Sequence, residues 1–182
     1  GYQPNALARS LRVGKTNMFA LLVPDITNSF FAELSKGAED ATASYGYSLI
    51  LCNTEDREES EEEYIRALRE KQIDGFLIGT AHNGGSTVRK LIDANCPLVL
   101  VNRRVRGVRT GYVGADDTAG SKEAVSYLIG LGHRRIAHIS GYLHADTSRR
   151  RPDAYRPVMA APGRADVAQH PVTDSHIRGP VG

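Results

Sequence analysis

The hydrophobic and polar positions between residues 18 and 46 predict a buried strand followed by an amphipathic helix. Residues 19–23 are continuously apolar, as expected of a central parallel strand that is covered on both faces. Asn28 is suited to cap the helix that follows, and Gly46 stands where such a helix would end. Between them, apolar residues recur at steps of three or four, which places them on one helical face. These residues are Phe30, Leu34, Ala38, Ala41 and Tyr45.

The same alternation continues along the chain and predicts an α/β fold. The acidic segment 55–63 falls in the first turns of one predicted helix, where the helix dipole favours acidic side chains. Strands that alternate with helices at this spacing predict right-handed crossovers and a doubly wound, mainly parallel sheet. Apolar runs suited to the further strands lie at 47–52, 73–78, 98–101, 112–115 and 136–140.

The start of the chain is basic and falls outside this pattern. Residues 1–16 contain Arg9, Arg12 and Lys15 and no acidic residue. A helix of this length is marginal in isolation, so one interpretation is a linker. The other interpretation is a helix that forms against a partner, with its cations on phosphates and Leu11 as an apolar wedge.

The end of the chain also departs from the pattern. Residues 152–182 contain five of the eight prolines and show no clear periodicity, so we expect an irregular tail. The predicted organisation is therefore an N-terminal segment at 1–16, an α/β domain at 17–151 and a proline-rich tail at 152–182.

Composition and charge exclude several classes of protein. The 23 basic and 21 acidic residues give a formal net charge of +2, which does not by itself indicate nucleic-acid binding. No apolar run is long enough to cross a membrane, and the start shows no signal-peptide pattern. Cys52 and Cys96 are far apart and each lies beside an apolar run, so we expect buried, reduced thiols. These features favour a soluble cytoplasmic protein.

Sequence motifs for catalysis and metal binding are absent. There is no phosphate-binding loop of the Gly-x-x-x-x-Gly-Lys-Ser/Thr type and no dinucleotide-binding glycine pattern after a strand. The six histidines show no His-Glu-x-x-His spacing, and residues 84–88 lack the second glycine of a nucleophile elbow. We predict no metal and no cofactor. An α/β enzyme whose catalytic groups converge from distant loops stays open as an alternative.

Polar and aromatic residues collect where the predicted strands end. In open α/β sheets, ligands bind at the carboxyl ends of the strands. Aromatic rings can cover the apolar face of a ligand, while carboxylate, amide and guanidinium groups hold its polar groups, so these residues predict a small polar ligand. In the alternative interpretation, Phe30 and Phe31 are core residues and the arginine run 149–151 is a solvated loop. The residues concerned are Asp25, Phe30, Phe31, Asn102, Arg103, Asp116, Thr147 and Arg151.

Five motifs occur in an order and at a spacing typical of one protein family. They are Tyr2-x-Pro4-Asn5-x-x-Ala8-Arg9-Ser10-Leu11, Val23-Pro24-Asp25-x-x-Asn28-x-Phe30-Phe31, Asp74-Gly75, Asn102-Arg103, and Gly132-His133-Arg134-Arg135-Ile136-Ala137-His138-Ile139. Together they resemble the lactose-repressor/galactose-repressor (LacI/GalR) family of bacterial transcriptional regulators. The resemblance runs from residue 1 to about residue 155.

The resemblance implies a cytoplasmic homodimer that binds operator DNA and a small effector such as a sugar. In this family, an N-terminal helix-turn-helix reads the operator, a hinge helix enters the minor groove, and the core resembles periplasmic sugar-binding proteins. Effector binding shifts the core between two arrangements and thereby changes the affinity for DNA. By position, the hinge residues expected to contact DNA are Asn5, Ala8, Arg9 and Leu11. The residues expected to contact effector are Phe30, Phe31, Asn102, Thr147 and Arg151.

The sequence also departs from the family pattern. The helix-turn-helix is absent, so base-specific reading of the major groove is not expected of this chain. Residues 152–182 are too few and too rich in proline to supply the family's second core subdomain, and we interpret this tail as a truncated or frame-shifted reading. The alternative function is a periplasmic sugar-binding protein of a transport system, which needs an export signal and no hinge. The basic, helix-capable residues 1–15 favour the regulator.

Overall fold

The chain folds into two compact units, one ending at Val113 and the other beginning at Gly114. The computed structural model describes residues 15–80, 85–141, 145–161 and 169–173, the last of these as backbone. The stretch 17–151, for which the sequence predicted one domain, is divided between the two units because the chain leaves the first sheet after its fifth strand.

The first unit is a parallel sheet with helices between its strands. Its sheet has the order β2-β1-β3-β4-β5, and every neighbouring pair is parallel. This confirms the predicted α/β fold with a mainly parallel sheet. The strands are β1 (Met18–Val23), β2 (Ser48–Asn53), β3 (Gly75–Ile78), β4 (Leu98–Val101) and β5 (Gly111–Val113). The helices are α1 (Ser29–Ser44), α2 (Glu58–Glu70) and α3 (Ser86–Asp93).

Helices cover both faces of this sheet, and β1 lies between them. On one face, Leu21 and Val23 belong to a hydrophobic cluster with Phe31 of α1. On the other face, Leu22 belongs to a larger cluster that includes Leu91 of α3. Because successive side chains of a strand point to opposite faces, a strand buried on both sides must be apolar throughout. This explains the continuous apolar run of β1.

Helix α1 begins and ends where its sequence signals predicted. The Asn28 side chain accepts a hydrogen bond from the Phe30 N–H at 3.0 Å, and Gly46 has a φ of +76° just after the helix. The buried face differs from the predicted one. Phe31 is buried, whereas Phe30 is 48% exposed and Tyr45 is 81% exposed. The reason is that Phe31, not Phe30, packs against β1.

Among its described residues, the second unit has two helices and two strands. Strand β6 forms as predicted, but it pairs in parallel with β7 in a separate two-stranded sheet and not with the first sheet. Its hydrophobic cluster contains Val125, Ile136, Tyr155 and Met159. The elements are α4 (Asp117–Gly130), β6 (Ile136–Ser140), α5 (Asp146–Met159) and β7 (Gln169–Thr173).

The prediction of an irregular tail is wrong for residues 152–159, which belong to α5, and for residues 169–173, which form β7. This helix contains Pro152 and Pro157, and each removes a backbone donor at a cost of about 3 kcal/mol in a helix interior. Tertiary contacts offset that cost. Tyr155 and Met159 are buried in the second unit's cluster, and the Tyr155 hydroxyl donates to the Ile136 carbonyl at 2.8 Å.

The two cysteines are free, and the predicted burial is confirmed for one of them. Cys52 is buried in β2, and Cys96 is half-buried. Burial disfavours the thiolate and raises the pKa of Cys52 to about 11. Among the described helices, none combines the length and the apolar character that a membrane span requires.

A pair of glycine substitutions tests the packing at the start of β3. A Cβ on Gly75 would lie 2.9 Å from Phe19 Cε1 and 3.0 Å from the Pro97 carbonyl oxygen. We expect Gly75→Ala to lower the free energy of unfolding by about 1–3 kcal/mol, since packed side chains and backbone must move. A Cβ on Gly37 of α1 meets nothing within 4 Å, so Gly37→Ala is expected to raise stability by about 0.5–1 kcal/mol.

Urea unfolding followed by circular dichroism measures both changes. A Gly75→Ala variant as stable as the parent chain would show that this packing is wrong. The Gly37→Ala variant controls for the general effect of alanine on the unfolded state.

Candidate functional site

The loop after β1 is shaped by Asp25 at the carboxyl edge of the sheet. The Asp25 carboxylate accepts hydrogen bonds from the Thr27 N–H at 2.9 Å and the Thr27 hydroxyl at 2.7 Å. The side chain of Asn53, the last residue of β2, accepts from the Ile26 N–H at 3.0 Å. These bonds fix the turn that delivers Asn28 to cap α1. Asp25 therefore stabilises the backbone conformation of this turn.

Phe30 and Phe31 follow this turn and differ in their surroundings. Their ring centroids lie 5.0 Å apart, in an edge-to-face arrangement with an interplanar angle of 84°. Phe31 belongs to the core cluster beneath α1, while almost half of Phe30 is exposed. The core interpretation therefore holds for Phe31, whereas Phe30 presents an exposed aromatic ring at the carboxyl edge.

An ion pair between a buried arginine and a half-buried aspartate joins the ends of three strands at the same edge. Arg103, which follows β4, is buried, and its Nη1 lies 2.6 Å from the Asp56 carboxylate in the loop after β2. The same nitrogen donates to the carbonyl of Thr80, just after β3, at 3.3 Å. A buried guanidinium is stable only when it is paired and hydrogen-bonded, so Arg103 fixes the relative positions of these loops.

Asn102 occupies a restrained backbone position beside Arg103. Its φ is +63°, in the left-handed region that asparagine tolerates better than most residues. Its N–H donates to the Val113 carbonyl at 2.7 Å, and its own carbonyl accepts from the Tyr112 hydroxyl at 3.2 Å. Asn102 is therefore held at the carboxyl edge between β4 and β5.

Sequence reasoning missed a buried carboxylate in α2. Glu61 is fully buried and accepts a hydrogen bond from the Thr80 hydroxyl at 2.6 Å and another from the Thr87 hydroxyl. The sequence predicts only that the acidic segment 55–63 occupies the first turns of a helix. The signal that could have identified Glu61 is its spacing of four and seven residues from the buried Ile65 and Leu68, which places it on the apolar face.

In the second unit, Arg150 and Arg151 form ion pairs with buried or half-buried carboxylates. The buried Asp117 carboxylate lies 2.7 Å from Arg151 Nε and 3.0 Å from Arg150 Nη2. Arg150 Nε also lies 3.0 Å from the Asp146 carboxylate. The interpretation of residues 149–151 as a solvated loop is wrong, because these arginines lie in α5 and hold it to the start of α4.

Two further predicted residues lie in the same unit. Thr147 is buried in the first turn of α5. The Asp116 carboxylate accepts from the Ala119 N–H at 2.9 Å, so it caps α4.

The predicted site residues thus fall into three groups. Phe30, Phe31 and Asn102 lie at the carboxyl edge of the first unit's sheet, and Thr147 and Arg151 lie in α5 of the second unit. The predicted DNA contacts Asn5, Ala8, Arg9 and Leu11 lie outside the described residues. Within the described ranges, no group of three or more histidine, cysteine, aspartate or glutamate side chains is arranged to hold a metal ion.

Comparison with known proteins gives consistent matches over most of the chain. Residues 16–179 match the family described as periplasmic binding proteins and sugar binding domain of LacI family. The ribose operon repressor of Halalkalibacterium halodurans is 38% identical over 140 residues, which are 77% of this chain and 41% of that protein. Catabolite control protein A of Priestia megaterium is 32% identical over 178 residues, 97% of this chain and 52% of that protein.

Solved structures show the same similarity. A sugar-binding transcriptional regulator of the LacI family from Escherichia coli, complexed with phosphate, superposes with a TM-score of 0.71 at 25% identity. The superposition covers 88% of this chain and 59% of that one. The chain spans about half the length of the curated relatives that it matches.

Glu61→Gln tests the buried carboxylate. The amide keeps the shape of the side chain but can no longer accept from both threonine hydroxyls, so we expect a loss of about 1–3 kcal/mol in the free energy of unfolding. Glu62→Gln, at the exposed neighbouring position, is the matched control and should change stability by no more than about 0.5 kcal/mol. Chemical denaturation of both variants gives the comparison; equal effects would exclude the buried network.

Proposed function

The chain belongs to the LacI family, in the part that carries the periplasmic-binding-protein-like sugar-binding domain, and we propose that it is the effector-responsive part of a transcriptional repressor. The observation that carries this proposal is sequence identity of 32–38% to proteins named as regulators, over most of this chain. The family description also includes periplasmic binding proteins, which is the alternative function. The basic residues 1–15 and the named regulators favour the repressor over the transport protein and over an enzyme.

We propose that the effector is a sugar or another small polar metabolite that binds at the carboxyl edge. The exposed ring of Phe30 would cover the apolar face of a sugar, with Phe31 supporting it from below. Asn102 would hold hydroxyl groups by directed hydrogen bonds. Thr147 and Arg151 remain predicted effector contacts of the second unit, where they lie one turn apart in α5 and Arg151 is paired with Asp117.

We propose that residues 1–16 bind DNA. The protein would act in the cytoplasm, because the operator DNA is there. Asn5, Ala8, Arg9 and Leu11 would contact the minor groove in the hinge helix. The end of this segment is anchored to the sheet, since the Asp74 carboxylate accepts from the Thr16 N–H at 3.2 Å and the Met18 N–H at 3.3 Å.

The two proposed binding regions lie at opposite ends of one strand. The N-terminal segment reaches the first unit at the amino end of β1, and the loop that carries Phe30 follows its carboxyl end. A rearrangement at the carboxyl edge would therefore reach the anchored segment through a single buried strand about 20 Å long. This gives the proposed allosteric coupling a physical route.

We propose that the regulator is a homodimer that uses the β2 edge of the sheet. An edge strand has unpaired backbone groups and readily accepts a partner. Here β2 exposes Leu51, and Tyr45 at the end of α1 is largely exposed. A second copy would cover these apolar side chains and bring two hinge segments together.

DNA binding of this chain is expected to be weak and without sequence preference. The contacts expected of residues 1–16 are mainly to backbone phosphates, so we expect a Kd of about 10⁻⁶–10⁻⁴ M at physiological salt. Fluorescence anisotropy with a duplex from upstream of its own gene and a scrambled duplex should give similar, strongly salt-dependent values.

Arg9→Gln should reduce the slope of log K against log salt by about one, the value for one lost phosphate contact. Arg106→Gln, in the connection between β4 and β5, is the control and should leave the slope unchanged. Highly selective binding to the native duplex would contradict the proposal.

Effector binding by this chain is also expected to be weak. We expect a Kd in the millimolar range, about −4 kcal/mol, for D-ribose or another aldose, because the chain spans only about half the length of its relatives. Phe30→Ala should raise this Kd at least about threefold through loss of ring stacking. Tyr127→Ala removes an exposed aromatic on α4 of the second unit and should have no effect. An NMR titration measures all three; nanomolar binding, or equal effects of the two variants, would refute this assignment.

A further inference from the structure

A groove of about 500 Å³ runs between α2 and α3, on the face of the sheet opposite α1. Its volume lies within the range of small-molecule sites. None of its lining residues belongs to the proposed effector or DNA contacts, and no part of the proposed function uses it. The lining residues are Glu62, Ile65, Arg66, Arg69 and Glu70 of α2 with Thr87, Lys90 and Leu91 of α3.

The floor of the groove is apolar because it is formed by residues of the hydrophobic core. Ile65 and Leu91 are buried members of the large hydrophobic cluster. Thr87 is also buried, and its hydroxyl is already committed to Glu61. Ile65 is 6% and Leu91 1% exposed, so the floor offers only a narrow apolar surface to a ligand, and polar recognition must come from the walls.

Two arginines on one wall supply that recognition. Arg66 and Arg69 lie three residues apart on α2, so their side chains share one face of the helix. Neither side chain has an ion pair or hydrogen bond to any described residue. Lys90 on the opposite wall differs, because it pairs with Glu62 at 2.7 Å and is neutralised. Two adjacent guanidinium groups suit a phosphate or carboxylate, which they can bind through paired N–H donors.

The geometry points to a second ligand site in this groove, for a small anionic metabolite with an apolar portion. Arg66 and Arg69 hold its phosphate or carboxylate group, and its apolar portion lies on Ile65 and Leu91. The site is separate from the carboxyl edge, so the anion and the proposed effector are two different ligands.

A buried polar network connects the groove with the carboxyl edge. Thr87 lines the groove and donates to Glu61, whose second carboxylate oxygen accepts from the Thr80 hydroxyl. The Thr80 carbonyl in turn accepts from Arg103, which follows Asn102. Occupation of the groove therefore shifts the carboxyl edge and modulates effector binding. This coupling rests on the proposed effector role of that edge, whereas ligand binding in the groove does not.

The binding experiment titrates the full 182-residue chain with phenyl phosphate, 3-phenylpropionate, inorganic phosphate and neutral benzyl alcohol, followed by ¹⁵N NMR. We expect saturable shifts of the amides of α2 and α3 with the two anions that carry a ring. Their affinities should exceed that of inorganic phosphate at least about tenfold, since only they reach the apolar floor. Benzyl alcohol should not bind. Binding of all four compounds with equal affinity would overturn the site, and the two ring anions distinguish phosphate from carboxylate as the preferred group.

The double variant Arg66→Gln/Arg69→Gln should weaken phenyl phosphate binding at least about tenfold. Arg106→Gln/Arg109→Gln removes the same charge from the same unit outside the groove and should leave the affinity unchanged. An equal loss of affinity in both double variants would show that phenyl phosphate is attracted only by the overall positive charge. That result would overturn the site.

The coupling has its own readout in the amide signals of Asn102 and Arg103. These signals should shift with phenyl phosphate in the parent chain and in Thr80→Ser, which keeps the hydroxyl that donates to Glu61. In Thr80→Val, which lies outside the groove, the groove should retain its affinity within about threefold, while the shifts at the carboxyl edge are lost. Shifts that persist in Thr80→Val would refute the coupling and leave the anion site standing; D-ribose binding at the edge is measured separately and tests the proposed function.

Discussion

The burial of β1 on both faces is the constraint on which the rest of the first unit depends. A strand in this position must be apolar throughout and must satisfy its backbone groups through its neighbours, and it does so by pairing in parallel with β2 and β3. Parallel pairing places all the carboxyl ends at one edge, with the connecting helices on the faces. The edge that collects Phe30 and Asn102 is thus a consequence of how the core is built.

Charged groups within this apolar core are stable only because they are ion-paired or hydrogen-bonded. Arg103 binds Asp56 and the Thr80 carbonyl, and Glu61 accepts from two threonine hydroxyls. These bonds cross from α2 and α3 to the loops at the carboxyl edge. The network that stabilises these buried charges therefore also links the groove between α2 and α3 to the edge proposed for effector binding. The same contacts would serve both the stability of the unit and the proposed coupling.

The second unit shows tertiary packing overriding local preference. Two prolines in α5 argue against a helix when the sequence is considered alone. The helix forms because Tyr155 and Met159 are buried against neighbouring elements and because Asp117 binds arginines in its first turns. A local sequence pattern cannot predict contacts of this kind, since Asp117 lies more than 30 residues before the arginines that it binds.

The sequence by itself determined the fold class, most strand positions in the first unit and the ends of α1, because apolar periodicity and capping residues act locally. Its motifs also identified the family. Only the tertiary structure decided that Phe31 is core and Phe30 exposed, and that β6 pairs with β7 in a separate sheet. These features depend on which distant residues meet, and a single sequence contains no local signal for such contacts.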